Sequence, residues 1–284
     1  MRTTRFNATL LALLIATPLF AQIADGDRHY AARAEGAQGS RAKAEPIDAA
    51  IAACQRAIAA NANDVEAHWK LLRAYRYKGA FVAANNEQKK EIYGTAKVAG
   101  EKALAVVNHL LASRGVNAKS TEKQVADAAR AVPGAAEAYL WDAINWGEWA
   151  LVYGKLAAAR QGAADRIRRG ATIALLVDPR LENGSPARVL GRLHDQTPRI
   201  PFITGWASSK EAVRFLRESQ KIDPKDKLTL VFLAEALVAN DGAKKAEAVQ
   251  ILRGVVSAPI DPQFVVEDAA SIEDAKALLK KWGA

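Results

Sequence analysis

The sequence contains a single cysteine, Cys54, in 284 residues, together with only 10 prolines and 18 glycines. One thiol cannot form an intramolecular disulfide, so the fold has to be stabilised by core packing. Half of the residues are hydrophobic, and the scarcity of helix-breaking residues favours α-helix over β-structure. Cys54 shares a helical face with Ile51 and Ile58, which predicts a buried structural thiol rather than a nucleophile.

Catalytic and metal-binding sequence patterns are also missing. The four histidines, His29, His68, His109 and His194, have no partners at metal-ligand spacing. The chain has no HExxH, GxSxG or GxGxxG pattern and no glycine loop that would bind phosphate. We therefore expect no enzyme activity, no cofactor and no metal. A hydrolase site assembled from distant loops around His194 is the remaining catalytic alternative.

Long apolar runs are absent as well. The chain opens with Arg2 and Arg5, continues with an apolar run over 8–20, and then has the small residue Ala21. The run is shorter than the ~20 residues that span a bilayer, and the pattern is typical of a secretory signal peptide. We expect residues 1–21 to be cleaved after Ala21 and the protein to be periplasmic, with a retained anchor helix as the alternative. No cysteine follows the run, so we expect no lipoprotein anchor.

The charge is basic but scattered. The formal net charge is +9, or +7 without Arg2 and Arg5. Basic and acidic residues alternate along amphipathic helices, and the densest basic cluster, Arg166, Arg168 and Arg169, lies beside an aspartate. This pattern indicates solvated helix surfaces, so we expect no nucleic-acid partner.

The repeat pattern predicts the fold. Residues 22–45 are expected to form a short helix and a flexible insert, and residues 46–284 a single domain. Three helical segments of that domain end in Asp-Pro, at Asp178, Asp223 and Asp261, with intervals of 45 and 38 residues. Such periods, with two helices per unit, are typical of tetratricopeptide-like (TPR-like) solenoids. The sequence therefore predicts an all-α, TPR-like helical-repeat solenoid of about ten to twelve helices.

The helix predicted over about 135–153 is apolar on two opposite faces. One stripe consists of Leu140, Ile144, Gly147 and Leu151, and the other of Trp146, Trp149 and Tyr153. A helix that is apolar all round is either buried or lines an apolar cavity, and the sequence leaves both possibilities open.

The segment 185–223 predicts two helices joined by a shaped loop. Ser185 and Pro186 are typical of a helix start, and Ser208 with Glu211 forms a capping-box pattern for the second helix. Arg188 and Arg192 share one face of the first helix. The candidate ligand-binding or partner-binding residues are Trp146, Trp149, Tyr153, Arg188, Arg192 and Trp206. Structural roles remain open for all six.

The block from Tyr139 to Leu237 resembles the T-component family of TPR-containing TRAP transporters. The resemblance depends on LWDAINWGEWA (140–150), VDP, ENGSPARVLG (182–191), Pro198, Pro201, Gly205, IDP (222–224) and LAEAL (233–237). It implies an all-α periplasmic protein with a cavity or pore through each protomer and a trimer as the model of its oligomer. It also implies a periplasmic substrate-binding subunit as partner and an apolar organic acid as cargo.

Two functions are compatible with these features. The first is a non-catalytic periplasmic TPR-like subunit that assists uptake of a small apolar organic acid together with a TRAP-type substrate-binding protein. The second is a general TPR-type protein–protein interaction scaffold in the periplasm. A continuous apolar tunnel beside Trp146 and Trp149 would favour the first, and an interior filled by side chains would favour the second.

Overall fold

The structure, a computed structural model, describes residues 21–200 and 204–284. Residues 1–20, with almost all of the predicted signal peptide, and residues 201–203, with Pro201, lie outside these ranges. The described chain is all-helical and contains no β-strand, which confirms the predicted fold class. Within the same ranges, no helix combines the length and the apolar character needed to cross a membrane.

Thirteen α-helices follow one another along the described chain. They are α1 (21–31), α2 (Ala44–Ala60), α3 (Val65–Phe81), α4 (Asn86–Ala112), α5 (Glu122–Ala129), α6 (Ala135–Tyr153), α7 (Lys155–Arg160), α8 (Ala163–Val177), α9 (Leu181–Gln196), α10 (Ser209–Ile222), α11 (Lys227–Asn240), α12 (Lys245–Ser257) and α13 (Val265–Trp282). Most consecutive helices pack on each other, as in a helical solenoid. The count is one above the predicted range.

The first hairpin, α2–α3, follows its sequence signals closely. Asp64 caps α3, because its Oδ1 accepts a hydrogen bond from the Ala67 N–H at 3.0 Å. Ile47, Ile51 and Cys54 are buried in one core cluster between the helices. Burial raises the pKa of the Cys54 thiol to about 11, which keeps it protonated at neutral pH.

The three Asp-Pro sites share one local hydrogen bond. In each, an aspartate Oδ1 accepts from the backbone N–H two residues later, on Arg180, Lys225 and Gln263 respectively, at 2.8, 3.0 and 2.8 Å. Asp178 and Asp223 are the C-terminal caps of α8 and α10, whereas Asp261 lies in the loop before α13. At Asp178 and Asp223 this side-chain turn ends one helix and redirects the chain into the next. The prediction that a helix also ends at Asp261 is wrong, because α12 ends at Ser257.

Helix α9 contains a sharp break near its start. Glu182, Asn183 and Gly184 have left-handed backbone angles, with φ of 45°, 57° and 81°. Regular α-helix therefore begins at Ser185 and Pro186, as the sequence predicts. The next helix is capped by Ser208, whose Oγ accepts from the Glu211 N–H at 3.5 Å.

The capping box expected at α10 is only half formed. The Ser208 N–H donates to His194 Nδ1 at 3.2 Å instead of to the Glu211 side chain. Glu211 pairs with Arg214 at 2.7 Å. His194 therefore links the end of α9 to the start of α10.

The two ends of the described chain meet, so the solenoid closes on itself. Val266 of α13 is buried in the same core cluster as Ile47 of α2 and Tyr77 of α3. Part of the expected flexible insert is held in place, because the Ala42 N–H donates to Phe81 O at 3.0 Å and Ser40 Oγ to Glu273 Oε2 at 2.6 Å. This closure brings helices from both ends of the chain around the space on the inner side of the helices.

Candidate ligand-binding cavity

A large cavity of about 1440 Å³ lies inside the closed solenoid. Helices from both ends of the chain line it, from Tyr30 of α1 to Asp274 of α13. Typical small-molecule pockets have volumes of roughly 300–1,000 Å³, so this space can hold a ligand of substantial size.

One wall of the cavity is the aliphatic stripe of α6. Ile144, Gly147 and Leu151 line the cavity at helical spacing, together with Trp141. A Cβ added at Gly147 would meet nothing within 4 Å, so its missing side chain leaves space there. Further apolar lining comes from Phe81, Val189, Leu193, Leu230, Phe232 and Val255.

The two predicted tryptophans lie on the opposite face of α6, in the core. Trp146 and Trp149 are only 2% and 3% exposed, and neither lines the cavity. Lys97 of α4 lies 4.8 Å and 4.9 Å from their ring centroids, and Arg166 of α8 lies 4.7 Å from that of Trp146. Helix α6 packs between α4 and α8, so these large rings fill the space between helices.

Tyr153 and Trp206 also lie outside the cavity lining. Tyr153 is 42% exposed and stacks on Trp149 with ring centroids 4.7 Å apart. Trp206 packs edge-on against His194 at 5.2 Å and carries the Arg168 guanidinium 4.7 Å from its ring centroid. Both residues extend the aromatic packing of neighbouring helices.

Arg188 does line the cavity, but its hydrogen-bonding groups are already engaged. Its Nη1 donates to Asp226 Oδ2 at 2.9 Å, and its Nη2 donates to Ser185 Oγ at 2.7 Å. The left-handed turn before Ser185 sets the position of this helix start. Gly184 is required in that turn, because a Cβ there would come within 3.2 Å of Ile222.

Arg192 lines the same wall and is paired in the same way. Its Nη1 donates to Glu235 Oε2 at 2.8 Å and to Asp195 Oδ2 at 3.1 Å, and its guanidinium lies 4.2 Å from the Phe232 ring centroid. The arginine pair predicted from the sequence therefore joins α9 to α11, and one terminal nitrogen of each guanidinium donates to a carboxylate.

Sequence reasoning missed two cavity residues, Tyr30 and Arg76. Arg76 follows a buried stretch of α3, and Tyr30 lies in the short first helix. Neither has a local motif that marks it as a site residue. Tyr30 reaches the cavity beside α3, where its ring packs edge-on against Tyr77 with centroids 6.1 Å apart, and no local pattern reveals this contact.

His194 and His68 each make a hydrogen bond to the backbone. His194 Nδ1 accepts the Ser208 N–H, and burial lowers the pKa of the ring. The Nε2 of His68 lies 2.9 Å from Ala62 O. In the part of the chain that is described, no three His, Cys, Asp or Glu residues cluster as metal ligands would.

Comparison with known proteins adds no family assignment. No protein-family model matches this chain, and no curated protein matches it. Function is therefore inferred from the geometry of the cavity and from the sequence features.

Proposed function

We propose that this protein is a non-catalytic periplasmic subunit that binds a small apolar organic acid in its interior cavity. In this role it assists uptake of the acid together with a TRAP-type substrate-binding protein. The observation that supports the proposal most directly is the cavity of about 1440 Å³ with an aliphatic wall on α6. An apolar ligand gains free energy by leaving water for such a wall, at roughly 25 cal/mol per Å² buried.

The cavity supports the alternative function, a protein–protein interaction scaffold, less well. The cavity opens to solvent at Leu151, but its volume of about 1440 Å³ and the apolar side chains of Ile144 and Leu151 that line it are features of a small-molecule site. A scaffold role remains compatible with the exposed apolar residues Leu151 and Leu156, which are 63% and 66% exposed.

Periplasmic location, the substrate-binding partner and a trimer depend on sequence features. The basic and apolar opening residues support export, and the resemblance of 139–237 to TRAP T-components supports the partner and the trimer. Leu151 and Leu156 give such a partner an apolar surface next to the cavity, because Leu151 also lines it.

Blocking the cavity tests the proposal. The substitution Gly147→Phe places a ring in the cavity without a backbone clash, since Gly147 has open space beside it. Gly242→Phe is the matched control, because Gly242 also has open space but does not line the cavity. Binding of a dansyl-labelled fatty acid is followed by fluorescence titration.

We expect saturable binding to the wild type, about tenfold or greater weakening in Gly147→Phe, and little change in Gly242→Phe. Native mass spectrometry of protein purified from the periplasm should also release a small apolar acid on unfolding. Absence of saturable binding to any fatty acid, or equal binding by both variants, contradicts the proposal.

A further inference from the structure

The cationic side chains that line the cavity differ in whether they already donate hydrogen bonds to other groups of the protein. Arg188 and Arg192 each donate hydrogen bonds to carboxylates, as described above. Lys227 is also satisfied, with Nζ donating to Asp268 Oδ2 and, at 2.8 Å, to Pro259 O. Each of these three cations is therefore already paired with a carboxylate.

Arg76 is different. Its closest carboxylate is Glu148, with Oε1 3.4 Å from the Arg76 Nε. The Arg76 guanidinium makes no hydrogen bond to any of the residues 21–200 and 204–284, and its side chain is 20% exposed while lining the cavity. Its two terminal amino groups are therefore available as donors. A guanidinium in this position is well suited to a carboxylate, which it can bind through two parallel hydrogen bonds.

A second available donor lines the same cavity. Tyr30 lines the cavity, and its hydroxyl has no hydrogen-bond partner within the described part of the chain. The ring is held between the guanidinium groups of Arg33 and Arg73, which lie 4.7 and 3.9 Å from its centroid. Packing connects it to Arg76 through Tyr77 and Phe81, because the Arg76 guanidinium lies 5.1 Å from the Phe81 ring centroid.

Two carboxylates near these donors have a cationic neighbour, whereas Glu182, which also lines the cavity, has no ion-pair partner within the described part of the chain. Glu148 faces Arg76, and Glu267 accepts from Arg33 Nε at 3.0 Å. The second oxygen of Glu267 is buried and has no partner, so it is not presented to the cavity. Arg76 and Tyr30 themselves present free donors and no anionic group, which favours an anionic head group over an ammonium group at these two residues.

We propose that Arg76 and the Tyr30 hydroxyl bind the carboxylate of an amphiphilic monocarboxylic acid in the cavity. The Arg76–Glu148 pair places this head group against α6, so the hydrocarbon chain lies along Ile144, Gly147 and Leu151. This inference rests on the proposed function and adds the residues that select an acid over a neutral or basic lipid.

The test compares three ligands of one chain length: decanoate, methyl decanoate and decylamine. Affinities are measured by displacement of the dansyl-labelled fatty acid from wild type, Arg76→Gln, Arg76→Lys and Tyr30→Phe. Arg56→Gln is the matched control, because Arg56 lies outside the cavity lining and its side chain is 54% exposed. Circular dichroism establishes that each variant is folded.

We expect Arg76→Gln to weaken decanoate binding by about tenfold to a hundredfold and to leave methyl decanoate nearly unchanged. Tyr30→Phe should weaken decanoate binding by about two- to tenfold, and Arg56→Gln should have no effect. If Arg76→Gln does not fold, Arg76→Lys and Tyr30→Phe provide the same comparison, since each retains the bulk of the side chain.

The outcomes separate this inference from the proposed function. If the wild type binds neither decanoate nor its methyl ester, the cavity is not a lipid site and both proposals fail. If decanoate binds and Gly147→Phe blocks it, but the Arg76 and Tyr30 variants retain full selectivity for the acid, only the head-group assignment is wrong. Tighter binding of decylamine, lost in Glu148→Gln, would also overturn that assignment.

Discussion

Arg33 donates a hydrogen bond from Nε to Glu267 Oε1 at 3.0 Å, which joins two residues that are 234 positions apart. The same guanidinium donates from Nη2 to Gln263 O at 2.6 Å, and Arg33 is only 9% exposed. One side chain from the start of the described chain thus holds the start of α13. Because α13 supplies part of the cavity lining, this contact connects closure of the solenoid to formation of the site.

We predict that Arg33→Ala destabilises the protein by about 2–4 kcal/mol, because Glu267 loses its partner and remains partly buried. Urea denaturation measures the free energy of unfolding. Arg28→Ala is the control, since Arg28 is 72% exposed and its pair with Asp25 should contribute less than about 1 kcal/mol. Equal effects of the two substitutions would mean that Arg33 does not hold the closure.

The local features of the fold were predictable from the sequence. The bounds of α6, the Asp64 cap and the helix starts at Ser185 and Ser208 follow from short-range chemistry. The turns at the Asp-Pro sites are also local, because each aspartate side chain accepts a hydrogen bond from a backbone N–H only two residues away. Such signals require no knowledge of distant contacts.

The face of α6 that lines the cavity was not predictable. Both faces are apolar, and the sequence analysis placed the candidate site on the tryptophans. In the structure Trp146 and Trp149 fill the space between α4 and α8, while the aliphatic face with Gly147 lines the cavity. Which face becomes core is decided by the helices that pack against α6, and these are separated from it in sequence.

We predict that Gly100→Ala is destabilising, although alanine is the better helix former. A Cβ at Gly100 would overlap Asp142 Oδ1 and lie 3.1 Å from its Cγ, so α4 and α6 could not approach as closely. We expect a loss of about 1–3 kcal/mol in urea denaturation. Gly147→Ala, with open space beside it, should instead be neutral or stabilising by up to about 1 kcal/mol.

A double-mutant cycle identifies the cause. If the clash with Asp142 is responsible, Gly100→Ala should cost much less in an Asp142→Ala background. Additive effects of the two substitutions would show that the loss arises elsewhere.

Asp142 should make stability depend on pH. It is 2% exposed, and burial raises the pKa of its carboxyl from 3.8 to about 7, with Arg166 opposing the shift and Glu101 adding to it. The folded state therefore favours the protonated form. The stabilisation of the folded state that follows from this preference is fully present below about pH 4 and is lost as the pH rises towards about 7.

We predict that Asp142→Asn is more stable than the wild type at about pH 8, by a few kcal/mol, and close to it at about pH 4. Urea midpoints of both proteins measured across this pH range give the difference in their stability. Other titrating groups are the same in both proteins, so their effects cancel in that difference. Parallel pH profiles for the two proteins would show that Asp142 titrates normally in the folded state.

Lys227 and Asp268 form a buried ion pair, and their side chains are only 5% and 10% exposed. Asp268 Oδ2 accepts from Lys227 Nζ and also from the Asp261 N–H at 2.9 Å, so one carboxylate joins α11, the last Asp-Pro turn and α13. Asp268→Ala leaves the Lys227 ammonium buried without its carboxylate, and we expect a loss of about 3–5 kcal/mol in the free energy of unfolding. The double substitution Lys227→Met with Asp268→Leu should recover part of this loss, because it removes both charges and keeps the volume. A double variant as unstable as Asp268→Ala alone would assign the effect to the lost Asp261 hydrogen bond rather than to the unpaired charge.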